Sequence, residues 1–385
     1  MPKLVVDLKD RRPAWSMPPW VPEEISAALP EGWTIQVMEA EADGTGDGVG
    51  DPGSALLEAI RDAEIYLGCG VPPALLREGG RLKWVHSGAA GVRSSLTPEM
   101  LASPVLFTNS KGIHGPPMGD TALAMILHFA RGLDFAIANQ RRGEWNTDPF
   151  FRADHPLVEV AQSTVGLLGF GGAGREVAKR ARALGARVLA YDRGPEAFRG
   201  LDAPGAAGAA PGSAAGTLPT AAAGPFAATD FGGPSGFGEE DSPPAFEFLH
   251  GPKGFARLLE DSDFLVVTAP ETPETRGMVD AAAMARMKRS AVLVNLSRGA
   301  LVDESALVAA LKEGGLRGAG LDVFPTEPLP PNHPLWSLPN VLLTPHVSAV
   351  SRCFWRRQTD LIQENLRRFF AGETLLNLVD KKAGF

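Results

Sequence analysis

The sequence predicts an α/β protein of two Rossmann-like or flavodoxin-like domains with parallel sheets, one domain inserted into the other. Three observations carry this expectation. Short apolar runs of strand length alternate with helical patterns over most of the 385 residues. That is the signature of βαβ units whose sheet is covered on both faces. The stretch 164–192, TVGLLGFGGAGREVAKRARALGARVLAYD, reads as strand, glycine turn, helix, strand and acid. The last helical pattern, 351–370, follows the final strand of the second unit and has to lead the chain back to the first. The expected divisions are 1–115 with 348–385 for a discontinuous first domain and 116–347 for the inserted second one.

In chain order, residues 4–6 form a short strand, a helix lies near 23–29, and 33–37 alternates like a strand. The acidic, glycine-rich run 39–53 is a loop, 55–61 is helical, and 65–68, 82–87 and 105–109 are strands. Pro116-Pro117 opens a long apolar helix, 118–131, that continues toward residue 142. After the 164–192 unit the chain becomes rich in Ala, Gly, Pro and Ser. Such a segment buries too little apolar surface to offset its ordering entropy. Residues 194–246 are therefore expected to be a low-complexity surface insertion, with Phe226, Phe231, Phe237, Phe246 and Phe248 as anchors. The fold resumes at 255–259. Strands follow at 263–268, 291–295, 318–321 and 341–344, with a helix at 303–312 before the third of them and the closing helix at 351–370.

Within 164–192 each part has a physical role. Gly169 permits the sharp turn out of the strand, Gly171 lets a pyrophosphate approach the backbone, and Gly174 lets helix and strand pack closely. The helix N-terminus offers free N–H groups and a positive dipole to phosphates. Asp192 lies where an acid hydrogen-bonds a ribose 2′-OH. Its carboxylate would repel a 2′-phosphate, so the expected cofactor is NAD; Arg193 beside it weakens that preference.

Composition narrows the function. Net charge is −8, which gives no global support to a nucleic-acid surface. Cys69 and Cys353 are far apart and without partners at metal-ligand spacing, so no disulfide framework and no metal site are expected, as in a reducing cytoplasm. No apolar run is long enough to span a bilayer, and the first residues lack a signal-peptide core.

Three polar residues follow the last strands: Arg298 after VLVNLS, Glu327 after LDVFPT and His346 after LLTP. In an open parallel sheet, ligands bind beyond the carboxyl ends of the strands, so residues distant in sequence can converge there. Their types suit hydride transfer to a ketone. A guanidinium holds a carboxylate bidentately, an imidazolium protonates a developing alkoxide, and a neighbouring carboxylate orients the imidazole and favours its protonated form.

The runs V-N-L-S-R-G-A-L-V-D-E (294–304), G-L-D-V-F-P-T-E-P-L (320–329) and T-P-H-V-S (344–348) resemble the D-isomer-specific 2-hydroxyacid dehydrogenases, which include glyoxylate/hydroxypyruvate reductases and phosphoglycerate dehydrogenase. The resemblance covers most of the chain from about Trp84 to Asp380, apart from the insertion. It implies an NAD-dependent oxidoreductase acting on a small 2-keto or 2-hydroxy acid of D configuration, with Arg298 as substrate binder, Glu327 as partner of the histidine and His346 as acid/base. It further implies Gly172 and Ala173 at the pyrophosphate, Ala269-Pro270 and Leu296-Ser297 along the cofactor, and Asp322 at the nicotinamide carboxamide. In the first domain it implies Ala89-Ala90-Gly91 as a turn that holds the substrate carboxylate, with Asn109 and Gly112 near the hinge. Relatives pair through the long helix, so a homodimer is implied. The chain departs from the resemblance at Arg93, where many relatives have an acid, and at Ala349, where a glycine is common. Glu327 argues against the formate dehydrogenase branch, which carries glutamine there. The resemblance also covers NAD-sensing co-repressors that keep this fold, and turnover distinguishes the two functions.

Overall fold

A computed structural model describes residues 1–40, 50–153, 155–192 and 247–382. The expected insertion 194–246 and its Phe226, Phe231, Phe237 and Phe246, together with Arg193, lie outside the described residues.

The first sheet contains β1 (Lys3–Asp7), β2 (Thr34–Val37), β3 (Ile65–Gly68), β4 (Trp84–Ser87) and β5 (Leu106–Asn109). All pairs are parallel, in the order β2-β1-β3-β4-β5. Side chains alternate between two cores, as a period of two requires. Val5, Tyr66, Val85 and Phe107 face one, and Leu4, Val6, Leu67 and Trp84 face the other. Helices α1 (Trp20–Ala27), α2 (Gly53–Ile60), α3 (Pro73–Glu78) and α4 (Pro98–Ala102) cover the sheet. Short α3 and α4 each open on a proline and escape a periodicity search because they last barely more than a turn.

The second sheet is seven-stranded, with β6 (Thr164–Leu168), β7 (Arg187–Tyr191), β8 (Glu247–Leu249), β9 (Phe264–Val267), β10 (Val292–Asn295), β11 (Gly318–Leu321) and β12 (Val341–Leu343). Its order is β12-β11-β10-β9-β6-β7-β8, again parallel throughout. The order reverses between β6 and β9, so a crevice opens beyond their carboxyl ends, where dinucleotides bind in doubly wound sheets. β6 is preceded in sequence by α5 (Gly115–Ala130), α6 (Leu133–Arg142) and α7 (Asp148–Phe151); α8 (Gly172–Ala183), α9 (Gly251–Asp261), α10 (Ala281–Arg286) and α11 (Glu304–Lys312) lie within the unit. β11 is glycine-rich for a packing reason. A Cβ on Gly318 would come within 2.7 Å of Phe129, and one on Gly320 within 2.8 Å of Met125, so the two glycines seat α5 on the sheet.

Two expectations are corrected. The single helix expected over 118–142 is two helices, α5 and α6, meeting at 71°. Gly132 breaks it in the left-handed conformation, at φ 64°, which glycine adopts without steric cost. Phe248, expected as an anchor of the insertion, belongs to β8, pairs with Ala190 and packs edge-on to Phe170. A three-residue strand is too short to be read by alternation.

The closing helix, α12 (Phe354–Ala371), starts later than expected and returns to the first domain, where Phe354, Trp355, Ile362 and Leu366 join the core of Leu4 and Val6. Leu378 then bridges Thr108 beside β5. Among the described residues no single helix is long and apolar enough to cross a membrane.

Candidate active site

The glycine turn follows directly from β6. Gly169 has φ 99°, and a Cβ there would meet the Ala269 nitrogen at 2.5 Å. Only glycine fits between the ends of β6 and β9. Gly174 has its own constraint: a Cβ would lie 2.5 Å from the Gly169 carbonyl oxygen. Gly171 differs, since a Cβ there would meet nothing within 4 Å. It N-caps α8 with no side-chain acceptor, whereas α10 and α11 are capped by the carboxylates of Asp280 and Asp303. No side chain caps the first N–H groups of α8, and the space beside Gly171 fits a pyrophosphate there. The Phe170 N–H donates to Asp192 Oδ2 at 3.2 Å, so the acid at the end of β7 stands beside the turn.

Other expected cofactor residues are placed differently. Ala269 and Leu296 are buried, and Leu296 belongs to the core. The Ser297 hydroxyl donates to the Ala269 carbonyl, stitching the turns after β9 and β10 together. Their side chains serve the protein, and Pro270 alone of this group is exposed. Asp322 is fully buried. Its carboxylate accepts from Thr344 Oγ1 at 2.5 Å and from the N–H groups of Val347 and Ser348, both at 2.9 Å. It therefore ties down the loop that carries His346.

That loop gives the trio its geometry. His346 has φ 55°, a left-handed conformation uncommon outside glycine. Its N–H donates to the Asp322 carbonyl at 2.8 Å. Its Nδ1 lies 2.7 Å from Glu327 Oε2, while Glu327 Oε1 accepts from the Phe324 N–H at 2.9 Å. With Nδ1 held by the carboxylate, Nε2 is the ring nitrogen left for exchange with a ligand. Burial works to raise the Glu327 carboxyl, but the hydrogen bonds from His346 and Phe324 and the charges of His346 and Arg298 outweigh it, holding the group below its ordinary value. Arg298 follows β10 and is exposed, with Nη1 donating to its neighbour's carbonyl at 2.8 Å. Gly299 makes this approach possible, because a Cβ there would overlap Phe324. Arg298, Glu327 and His346 line one cavity of about 340 Å³ together with Glu271, Arg276 and Phe324.

On the first domain, Ala89, Ala90 and Gly91 form a half-buried turn after β4. Asn109 is buried behind it, its Nδ2 donating to the Ala90 carbonyl at 2.8 Å, so it shapes the turn. Gly112, at φ 95°, lies against the nucleotide turn: a Cβ on Gly172 would sit 2.9 Å from Gly112 Cα. Trp336 and Trp355 do not line the cavity: Trp355 is in the first-domain core, and Trp336 is exposed with its indole N–H on the Pro330 carbonyl. Glu271 and Arg276 escaped the sequence reading. Their signal was position, since both closely follow Ala269-Pro270 at the carboxyl end of β9.

Fold and site together define a two-domain, dinucleotide-binding oxidoreductase of the α/β class. The family described as D-isomer specific 2-hydroxyacid dehydrogenase, NAD binding domain, matches residues 123–208 and 240–348. Glyoxylate reductase of Korarchaeum cryptofilum is 31% identical over 334 residues, 85% of this chain and 86% of that protein. Glyoxylate reductase of Thermococcus gammatolerans is 31% identical, with 94% of each chain covered. Among solved structures, a D-isomer specific 2-hydroxyacid dehydrogenase from Xanthobacter autotrophicus in complex with NADPH and MES superposes with a TM-score of 0.71 at 28% identity, covering 100% of this chain and 99% of that one. The NADPH-dependent glyoxylate/hydroxypyruvate reductase of Sinorhizobium meliloti, in complex with NADP and sulfate, gives 0.68 at 26% identity with both chains fully covered (100%). The chain belongs to the D-isomer-specific 2-hydroxyacid dehydrogenases.

Proposed function

We propose that the protein reduces a small 2-keto acid of the glyoxylate or hydroxypyruvate type to the D-2-hydroxy acid, with NADH as the preferred reductant. The observation that carries this reading is the His346–Glu327 pair, held at 2.7 Å in one cavity with Arg298. Arg298 takes the substrate carboxylate with its planar fork, and the N–H groups of the Ala89-Ala90-Gly91 turn take the same group from the other domain. His346 gives the proton on Nε2 to the carbonyl oxygen, and Glu327 stabilises the imidazolium before transfer. Gly171, Gly172 and Ala173 hold the pyrophosphate of the cofactor and Asp192 its ribose hydroxyl; the cofactor, when bound, supplies the hydride for the carbonyl carbon. The domains close about segments near Gly112 and His346 to exclude water. The working protein is a cytoplasmic homodimer.

Steady-state turnover of glyoxylate, hydroxypyruvate and larger 2-keto acids with NADH and NADPH tests the reading. Reduction with a higher kcat/KM for NADH is expected. Several solved neighbours hold NADPH or NADP, and a preference for NADPH would overturn the role given to Asp192. No turnover with either cofactor would overturn the reductase assignment.

A further inference from the structure

Beside the catalytic trio lies an ion cluster that the proposed reaction does not use. Arg93 begins a short 3₁₀ turn, Arg93–Ser95, two residues after Gly91 on the first domain. Its Nη1 donates to Glu271 Oε1 at 2.9 Å, across the cleft. Arg276, on the same side as Glu271, donates through Nη2 to that same oxygen. Glu271 and Arg276 line the cavity that contains Arg298 and His346.

We propose that Arg93 and Arg276 form a second anion subsite at the mouth of the substrate cavity, selecting 2-keto acids that carry a further carboxylate or phosphate beyond the carbonyl. The inference rests on the reductase reading and extends its substrate from glyoxylate and hydroxypyruvate to longer 2-keto acids with an acidic tail. Charge is the first argument. Two guanidiniums share one carboxylate, leaving one positive charge in excess at the mouth, and Arg298 is already committed to the carboxylate next to the reacting carbonyl. Donor capacity is the second. A guanidinium has five N–H donors in a planar fork; Glu271 engages Nη1 of Arg93 and Nη2 of Arg276. Exposure is the third. The Glu271 side chain is 18% exposed, against 73% for Arg93 and 54% for Arg276, so the carboxylate sits inside and the guanidiniums outside. Exposed ion pairs contribute little, so the arginines can turn toward an incoming anion at small cost. The cavity of about 340 Å³ lies in the size range of small-molecule sites and has room for an acid longer than glyoxylate. Because Arg93 belongs to the first domain and Arg276 to the second, one anion held by both would also draw the domains together.

The test compares kcat/KM for keto acids with neutral tails, pyruvate and hydroxypyruvate, against those with acidic tails, oxaloacetate, 2-oxoglutarate and 3-phosphohydroxypyruvate. The full chain and its Arg93→Gln, Arg276→Gln and Glu271→Gln variants are assayed. The wild type is expected to favour an acidic tail, and each arginine variant to lower the acidic-to-neutral ratio by about 10- to 100-fold, as loss of a charge-assisted hydrogen bond implies. Glu271→Gln should raise the ratio, because it removes the only negative charge of the cluster. Whether the carboxylate or the phosphate substrates respond more identifies the anion. A ratio unmoved by either arginine variant overturns the subsite, as does a parallel loss for every substrate, which would make Arg93–Glu271 a domain latch. Calorimetric titration of the same acids into protein loaded with NADH or NADPH separates the two claims: Arg93-dependent binding of acidic tails without turnover supports the subsite and sinks the reductase reading, whereas absence of such binding sinks the subsite.

Discussion

His346 combines a chemical and a conformational requirement. A left-handed backbone costs a non-glycine residue roughly 1–2 kcal/mol, and here the Asp322 carbonyl and carboxylate hold the surrounding loop in place. The Glu327 carboxyl lies below its ordinary value, so it remains charged throughout the neutral range and loses that charge only well into acid. Reduction depends on the Glu327 carboxylate and should therefore hold through the neutral range and fall only in acid, as that group is protonated below its ordinary value. Glu327→Gln should lower kcat while retaining some activity and should abolish the acid fall, because the hydrogen bond survives and the titrating carboxylate does not. His346→Ala should lower kcat by about 10²- to 10⁴-fold, the usual span of general acid–base catalysis, with cofactor affinity nearly intact. Profiles of kcat/KM against pH in both directions measure this. Near-normal turnover of His346→Ala would place the proton donor elsewhere. The residue types and their strand ends were legible from the sequence. The clamp by Asp322 was not, because it depends on a loop that meets β11 only in the folded sheet.

At the scale of elements, β4, β5 and α12 are joined by a buried polar network. His86 Nδ1 is 2.9 Å from Thr108 Oγ1, and its Nε2 is 2.9 Å from Gln358 Nε2 on α12. Burial pushes the His86 imidazole down to about 3. His114, stacked on Phe354, is pushed down to about 4 by burial and by the charges of Arg357 and Arg298. Both values lie below the unfolded value of about 6.5, so the unfolded chain binds more protons than the folded one below that pH. The stability these neutral histidines contribute is complete above about pH 6.5 and is lost as pH falls toward 4, at about 1.4 kcal/mol per pH unit for each proton. Urea unfolding at pH 7, 6 and 5 should show this decline, and His86→Gln should remove about half of the slope. A stability that stays level from pH 7 to 4 would contradict it. The partner of His86, Gln358 on α12, lies 272 residues away and could not be read from the sequence.

For the whole molecule, the proposed homodimer needs a pairing face. The apolar residues of α5 pointed to a pairing face, yet Met125, Ile126 and Phe129 are buried against the chain's own sheet. Exposed apolar side chains lie further on: Leu133 and Ile137 on α6, Trp145 at 97% and Phe151 at 82%. The proposed homodimer would make its contact through this region. Light scattering at micromolar concentration should give twice the chain mass, and Trp145→Ala with Phe151→Ala should shift the distribution toward monomer. A monomer mass for the unaltered protein would rule the pairing out.

The sequence by itself determined the order of the longer strands and helices, the glycine turn with its acid, and the three residue types at the ends of the last strands. These features are local: each is written in a run of apolar residues or a spacing within a few turns of chain. Tertiary structure alone decided the break at Gly132, the short β8 at the sheet edge, the buried Asp322 that fixes His346, and the pairing of Arg93 with Glu271 across 178 residues. Contacts of that kind depend on how two sheets and their helices pack. A left-handed glycine can end a helix or begin one, and an exposed arginine has no partner until the opposite domain supplies the carboxylate.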